Sequence, residues 1–183
     1  MIELKDLTVR FRDKTVFENR SFTLPDEGVV LLSGSSGVGK TTLLRVLSGL
    51  LKPEKGSVHG FENRKLSFAF QEPRLLPWLT ALENVALVSD RERARAFFTQ
   101  LDLQNELHEK AGVLSGGQKQ RVSLARAYAY SNDVVLLDEP FAGLDEENKR
   151  RAADLIKTAR LAVVVTHDPD DALLLKATAN IHL

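Results

Sequence analysis

The stretch from Leu31 to Leu50, LLSGSSGVGKTTLLRVLSGL, decides the fold, because it joins an apolar run to a glycine-rich segment and then to a helical pattern. Gly34 to Thr41 satisfies the spacing G-x-x-x-x-G-K-[ST]. The apolar run before it, Val29 to Leu32, is typical of a buried strand. The order strand, glycine-rich loop, helix predicts a phosphate-binding loop. The helix is predicted from apolar residues at i, i+3, i+4 and i+7, which are Leu43, Val46, Leu47 and Leu50.

Residue types in this loop suit a phosphate. Glycines allow backbone N–H groups to point inward where a Cβ would intrude. The dipole of the following helix contributes about 0.3–1 kcal/mol, whereas each hydrogen bond to a charged group contributes about 1.5–3 kcal/mol. The amides and Lys40 therefore dominate, Thr41 offers a hydroxyl to Mg²⁺, and Thr42 helps with a phosphate oxygen. The predicted phosphate-binding residues are Gly34, Ser35, Ser36, Gly37, Val38, Gly39, Lys40, Thr41 and Thr42.

Composition limits the class of protein. The chain has 183 residues, of which 43% are hydrophobic and 27% charged, so a single soluble globular domain is expected. A net charge of zero gives no broad attraction to nucleic acid, which is not expected as a partner. The absence of cysteine fits a reducing compartment. The first residues, MIELKDLTVRFR, hold no apolar segment of the secretion-signal type, and we expect no such signal.

Strand and helix patterns alternate along the chain. IELKDLTVRF and TVFENRSFTL alternate with period two around Arg12–Asp13–Lys14, which predicts an antiparallel edge. Continuous apolar runs at Val134 to Leu137 and Leu161 to Val165 predict strands covered on both faces. The fold class is therefore α/β with a mainly parallel sheet. Prolines and glycines predict irregular stretches at 53–60 and 73–77. Further helical stripes comprise Ala94, Phe97, Phe98 and Leu101 after a cap at Asp90, and Ala152, Leu155, Ile156 and Ala159.

Two adjacent carboxylates end the second apolar strand. Asp138 and Glu139 follow Val134 to Leu137 directly. Ligands of parallel sheets collect at the carboxyl ends of the strands, so both acids should face the phosphates held by the loop. Asp138 is expected to orient Mg²⁺ through water. Glu139 is expected to act as general base toward a water aligned on the γ-phosphate.

A second glycine-rich helix start is the most diagnostic feature. Leu114 to Gln118 reads LSGGQ and leads into the helical sequence KQRVSLARAYAY. With the phosphate loop and the acidic pair, the chain resembles the ATP-binding cassette (ABC) ATPases, whose signature motif is LSGGQ. The resemblance implies a P-loop NTPase fold with a mainly parallel core sheet, an antiparallel β edge and a small helical subdomain. It implies one ATPase domain over 1–183, with the helical subdomain inserted at approximately 73–130, and ATP and Mg²⁺ as cofactors.

The resemblance also assigns roles residue by residue. Phe11 stands where the family usually has a tyrosine that stacks on adenine, and Val16 would line the same site. Gln71 matches the glutamine that senses Mg²⁺ and links the site to a transmembrane partner. Asp145 matches an aspartate at the subunit contact, although Ala142-Gly143 departs from the commoner Ser-Ala before it. Lys40, Glu139 and His167 are the implied catalytic residues, His167 as a contact to the γ-phosphate. The signature residues Ser115, Gly116, Gly117 and Gln118 would bind a nucleotide held by a second cassette.

Alternatives differ in sequence requirements. A small P-loop kinase would not need LSGGQ, and a GTPase would carry N-K-x-D, which is missing here. A non-transport ABC ATPase commonly has paired cassettes or long insertions. A single cassette favours the energy subunit of a transporter, on the cytoplasmic face of the cell membrane. The implied partners are an ATP-dependent homodimer (or another cassette), transmembrane permease subunits and a solute-binding protein.

Smaller features refine this hypothesis. PRLLPWLTALENV resembles the corresponding region of importers for nitrate, sulfonates and taurine. Trp78 within it is interpreted either as an anchor for a membrane partner or as a core residue. The stretches from Lys40 to Gln71 and from Gln71 to Ser115 are shorter than is usual in the family, and no carboxyl-terminal regulatory domain is expected. The other histidines, His59, His108 and His182, are predicted to be surface residues.

Overall fold

The computed structural model describes residues 1–12 and 14–183, and its strands form two sheets. Five strands lie in one sheet with every neighbouring pair parallel, and three lie in a second, antiparallel sheet. The strands within the described residues are β1 (Ile2–Phe11), β2 (Lys14–Leu24), β3 (Gly28–Ser33), β4 (Lys55–His59), β5 (Leu66–Ala69), β6 (Val134–Asp138), β7 (Leu161–Val165) and β8 (Ala179–His182).

The parallel sheet has the order β5-β6-β7-β3-β8 and confirms the α/β fold with a mainly parallel core. All three continuous apolar runs form its central strands β3, β6 and β7, whose side chains are buried on both faces. The strands β6 and β7 end level with each other, because their last residues, Asp138 and Val165, are partners in the sheet. The order brings the carboxyl ends of β3, β6 and β7 to one edge, where the phosphate loop, Glu139 and His167 follow.

The antiparallel sheet has the order β2-β1-β4 and includes the predicted pair β1 and β2. In the turn predicted between them, Asp13 lies outside the described residues. The prediction of an irregular stretch at 53–60 is wrong for Lys55–His59, because these residues form β4, which pairs with β1. Gly56 adopts φ 94°, and a Cβ on it would lie 2.3 Å from the carbonyl oxygen of Lys5. Glycine at position 56 therefore permits the close approach of β4 to β1.

Three helices follow the predicted stripes, but each ends before the last residue of its stripe. Leu101 and Ala159 lie just beyond their helices, which end at Gln100 and Ile156, although both side chains are buried. Asp90 caps its helix by accepting from the backbone N–H of Arg93, as predicted. The helix of the first stripe ends at Leu47, so Leu50 lies outside it and is 61% exposed. Gly49, at φ 72°, turns the chain away at that point. The α-helices of the described residues are α1 (Lys40–Leu47), α2 (Ala81–Ala86), α3 (Arg91–Gln100), α4 (Gly116–Tyr130), α5 (Glu146–Ile156) and α6 (Asp171–Leu175).

The core lies on both faces of the parallel sheet. On one face, α1 and the antiparallel sheet pack against side chains such as Val30 and Leu32. On the other face, α2 to α5 pack against side chains such as Leu31 and Leu137, with Tyr128 fully buried among them. This layering fixes α1 and α4, whose first turns carry the two glycine-rich motifs. In the described part of the chain, no helix is both long and apolar enough to cross a membrane.

Candidate functional site

A cavity of about 380 Å³ opens at the carboxyl edge of the parallel sheet. It gathers residues from five separate parts of the chain, including both sheets, the phosphate loop and the segment after β5. Twelve of the residues predicted to serve nucleotide, metal or catalysis line it together. They are Phe11, Val16, Ser36, Gly37, Gly39, Lys40, Thr41, Thr42, Gln71, Asp138, Glu139 and His167.

The phosphate loop wraps around the buried ammonium group of Lys40. Lys40 Nζ donates to the carbonyl oxygens of Gly34 at 2.8 Å and Ser35 at 3.0 Å. Gly39 caps α1 with φ 116°, a left-handed conformation that side chains disfavour. A Cβ on Gly39 would also lie 2.6 Å from Val16 Cγ1. The loop conformation therefore depends on glycine for backbone geometry and for space.

Thr41 and Asp138 form the part of the cavity that suits Mg²⁺. Thr41 Oγ1 donates to Asp138 Oδ1 at 3.2 Å, which places a hydroxyl and a carboxylate side by side. Burial raises the pKa of Asp138, opposed by the hydrogen bond from Thr41 and the charges of Arg45 and Lys40. Both groups are hard oxygen donors of the kind that Mg²⁺ prefers. Within the described residues, no three His, Cys, Asp or Glu side chains cluster as a metal site.

Glu139 and His167 face each other across the ends of β6 and β7. His167 Nε2 lies 3.1 Å from Glu139 Oε1, although Oε1 is buried and receives no hydrogen bond of good geometry from the described residues. Glu139 adopts φ 51°, and its N–H donates to the carbonyl of Val165. Burial raises the pKa of Glu139, helped by Asp138 and opposed by the charges of His167 and Lys40. An unpartnered carboxylate oxygen with a raised pKa is equipped to accept a proton from water.

The signature motif lies in a second cavity, of about 350 Å³, which shares no lining residue with the first. Ser115 caps α4 by accepting from the N–H of Gln118, while the Gln118 side chain accepts from the N–H of Ser115. A Cβ on Gly117 would lie 2.7 Å from the carbonyl oxygen of Gly143, so glycine lets α4 approach the loop before Asp145. The predicted residues of this cavity are Ser115, Gly116, Gly117, Gln118 and Asp145.

Some predicted residues lie elsewhere. Ser35 contributes its backbone carbonyl to Lys40, and the N–H of Val38 donates to Ser35 at 3.4 Å, but neither residue lines the first cavity. Gly34 lines a neighbouring cavity. Trp78 is 66% exposed, so its interpretation as a core residue is wrong. The predicted surface positions of His59, His108 and His182 are confirmed.

Sequence reasoning missed several residues at both cavities. Lys14 and Val165 line the first cavity, and Arg121 and Asn148 line the second. Gln120 Nε2 donates to the carbonyl of Glu139 at 3.1 Å, which ties α4 to the end of β6. Lys14, two residues before Val16, could have been found from that spacing. The other contacts arise from tertiary packing and leave no local pattern.

Comparison with known proteins identifies the family of the chain. The family described as ABC transporter matches residues 17–142. An uncharacterized ABC transporter ATP-binding protein of Haemophilus influenzae is 39% identical, over 96% of this chain and 79% of the relative. An aliphatic sulfonates import ATP-binding protein of Pseudomonas fluorescens is 41% identical, over 95% of this chain and 70% of the relative.

Solved structures agree as well. A bacterial ABC transporter cassette in dimeric form has a TM-score of 0.88 at 30% identity, covering 100% of this chain and 94% of that one. The same cassette in a post-hydrolysis state with ADP and Pi has a TM-score of 0.87, also at 30% identity and with the same coverage. The chain belongs to the ABC transporter family, as an ATP-binding subunit and Mg²⁺-dependent ATPase that powers transport through separate transmembrane subunits.

Proposed function

We propose that the first cavity binds ATP through the residues that line it. Phe11 stacks on the adenine with Val16 beside it, and Phe11 is 43% exposed, so its ring is available for that contact. Lys40 and the amides of residues 34–42 bind the phosphates. The observation that carries the proposal is that Lys40, Asp138, Glu139 and His167 line one cavity although they are far apart in sequence.

Thr41, Gln71 and Asp138 hold Mg²⁺ in this proposal. Thr41 contributes its hydroxyl directly, Asp138 acts through water, and Gln71 lines the same cavity. Bound Mg²⁺ supplies charge neutralisation for the phosphoryl group during transfer. The raised pKa of Asp138 follows from its burial. A cation beside the carboxylate would stabilise its ionised form.

Glu139 is the general base and His167 supports it. The buried, unpartnered Oε1 of Glu139 is the acceptor for a water proton. His167 is close enough to hold that carboxylate and a γ-phosphate oxygen in line. General-base assistance contributes typically about 10²- to 10⁴-fold to a rate, so loss of Glu139 should lower turnover by a factor of that order.

The signature cavity receives the nucleotide of a second cassette. Its lining shares no residue with that of the first cavity, which supports this assignment. Ser115, Gly116, Gly117 and Gln118 then close on the γ-phosphate held by the partner, with Asp145 at the contact. A related cassette was solved in dimeric form. ATP is thus part of the interface, and its hydrolysis loosens the homodimer (or a pair with another cassette).

The transporter imports a small organic anion of the sulfonate class. Relatives named as aliphatic sulfonates import ATP-binding proteins, at 40–41% identity, support this choice. The subunit works at the cytoplasmic face of the membrane, with permease subunits and a solute-binding protein.

The exposed Trp78 and the segment 73–85 contact the permease, and Gln71 couples that contact to the cavity. Residues 1–183 act as one ATPase domain, with the inserted helical subdomain at approximately 73–130.

Phosphate release from Mg-ATP tests the proposal. Lys40→Ala should abolish hydrolysis and weaken Mg-ATP binding with the fold intact, whereas Lys52→Ala, at an exposed lysine, should hydrolyse ATP like the wild type. A folded Lys40→Ala protein with the wild-type rate would overturn the assignment. ADP formation without free phosphate, seen only when a metabolite acceptor is added, would instead indicate a kinase.

A further inference from the structure

The backbone on both sides of His167 is held by polar contacts of the Thr166 side chain. Thr166 Oγ1 accepts from the N–H of Asp168 at 3.2 Å and donates to Asp171 Oδ2. The His167 side chain itself is 57% exposed, with Glu139 as its close ionisable neighbour. The position of the imidazole therefore depends on the segment 166–171 that carries it, more than on packing around the ring.

Lys149 connects this segment to α5. Its Nζ lies 2.6 Å from Asp168 Oδ2 and 2.7 Å from Asp171 Oδ1. Asp171 is only 1% exposed, so its charge needs a nearby cation. Burial of Lys149 disfavours its charge, but hydrogen bonds to Asp168 and Asp171 outweigh burial and raise its pKa, so the lysine is charged. The ammonium group of Lys149 therefore holds the carboxylates of both Asp168 and Asp171.

The same lysine also contacts the loop that follows Glu139. Lys149 Nζ lies 5.6 Å from the centre of the Phe141 ring, within cation–π range. Phe141 stands two residues after Glu139 and is nearly buried. Lys149 thus joins the segment after β7 to the segment after β6. These are the two segments whose side chains meet at the 3.1 Å contact of His167 and Glu139.

We propose that Lys149 is a positioning residue for His167, acting through Asp168, Asp171 and Thr166 to hold the imidazole against Glu139. The inference rests on the proposed role of His167 in hydrolysis. Lys149 lies outside the described lining of the first cavity, so its effect is on turnover rather than on ATP binding. Misplacement of a catalytic group by about 1 Å can cost roughly a hundredfold in rate, which sets the scale of the effect.

Imidazole NMR signals report His167 directly, without reference to activity. The chain has four histidines, so its imidazole spectrum is simple enough to assign His167 by the signal lost in His167→Ala. Lys149→Met should shift or broaden the His167 signal and leave those of His59, His108 and His182 in place. Lys157→Met is the matched control, since it removes a lysine from the end of the same helix, where it pairs with Asp154. Its spectrum should match the wild type.

Steady-state hydrolysis by the full chain completes the test. Lys149→Met should lower kcat by about tenfold to a hundredfold with KM and Mg-ATP binding unchanged, and Lys149→Arg, which keeps the cation, should restore most of it. Asp171→Asn offers the same two readouts if Lys149→Met does not fold. An unmoved His167 signal, or a wild-type kcat, in a folded variant overturns the positioning role. His167→Ala distinguishes the proposed role of His167 in hydrolysis from the proposed role of Lys149 in positioning it. Full hydrolysis by His167→Ala would refute the role of His167. The NMR result would still decide whether Lys149 positions the imidazole ring.

Discussion

Gln120 Nε2 donates to the carbonyl oxygen of Glu139 at 3.1 Å, so the signature helix holds the backbone of the proposed base directly. Gln120 is 2% exposed and lies in α4, five residues after the cap Ser115. Glu139 adopts φ 51°, a conformation that a glutamate does not favour without support. The helix that begins at the second cavity is thereby linked by a hydrogen bond to a residue that lines the first.

Gln120→Leu should therefore weaken both fold and turnover. Loss of the buried amide leaves the Glu139 carbonyl without this donor, at a cost of about 1–3 kcal/mol in the free energy of unfolding. We also expect a lower kcat with little change in KM, since Glu139 moves and the phosphate loop does not. Urea unfolding and phosphate release measure the two effects. Gln100→Leu, at an exposed glutamine of α3, is the control, and equal results for the two variants would contradict the link.

The phosphate loop allows a matched pair of glycine substitutions. Gly39 and Gly37 both have positive φ, at 116° and 77°, so alanine is strained at either position. A Cβ on Gly39 also meets Val16 and Phe17, whereas one on Gly37 meets nothing within 4 Å. Gly39→Ala should cost about 1–3 kcal/mol more in the free energy of unfolding than Gly37→Ala, because of overpacking. Urea unfolding of both decides it, and an equal loss would mean that the β2 side chains move aside freely.

The raised pKa of Glu139 gives stability a predictable pH dependence. Between its ordinary value of 4.5 and its raised value, the folded state binds more protons at this group than the unfolded state does. Stability from Glu139 therefore falls as pH rises through that window. Glu139→Gln removes the buried charge, so it should be more stable than wild type at pH 8, with the difference shrinking as pH falls toward 4.5.

Urea unfolding at a series of pH values measures this difference, with Glu27→Gln, at an exposed glutamate, as the control. The control should show no such trend. A Glu139→Gln protein less stable than wild type at pH 8 would mean that contacts to His167 and Lys40 outweigh the burial of the carboxylate.

Sequence alone predicted the parts of the fold and site that depend on local pattern. Continuous apolar runs identified β3, β6 and β7, and residues that directly follow those strands, such as Glu139 and His167, could be placed at one edge by topology. The short strands β4, β5 and β8 were not predicted. Each has only four or five residues, and pairing with strands that are distant in sequence orders it. In β4, for example, Gly56 lies close to the backbone of Lys5 in β1. Gln120 and Lys149 were missed because only tertiary contacts give them a role.

In the proposed homodimer, two copies of this chain enclose ATP between the phosphate loop of one and the signature cavity of the other. Glu139→Gln should bind ATP without hydrolysing it and so retain the closed pair. Ser115→Arg places bulk at the cap of α4, inside the second cavity, and should block pairing in the Glu139→Gln background. Neither change removes the residues of the phosphate loop, so ATP binding is retained in both proteins.

Light scattering with Mg-ATP measures this pairing. We expect Glu139→Gln to have twice the monomer mass with Mg-ATP, the Glu139→Gln, Ser115→Arg protein to stay monomeric, and the wild type without nucleotide to be largely monomeric. A Glu139→Gln protein that binds ATP yet keeps the monomer mass at high concentration would contradict self-pairing of this chain.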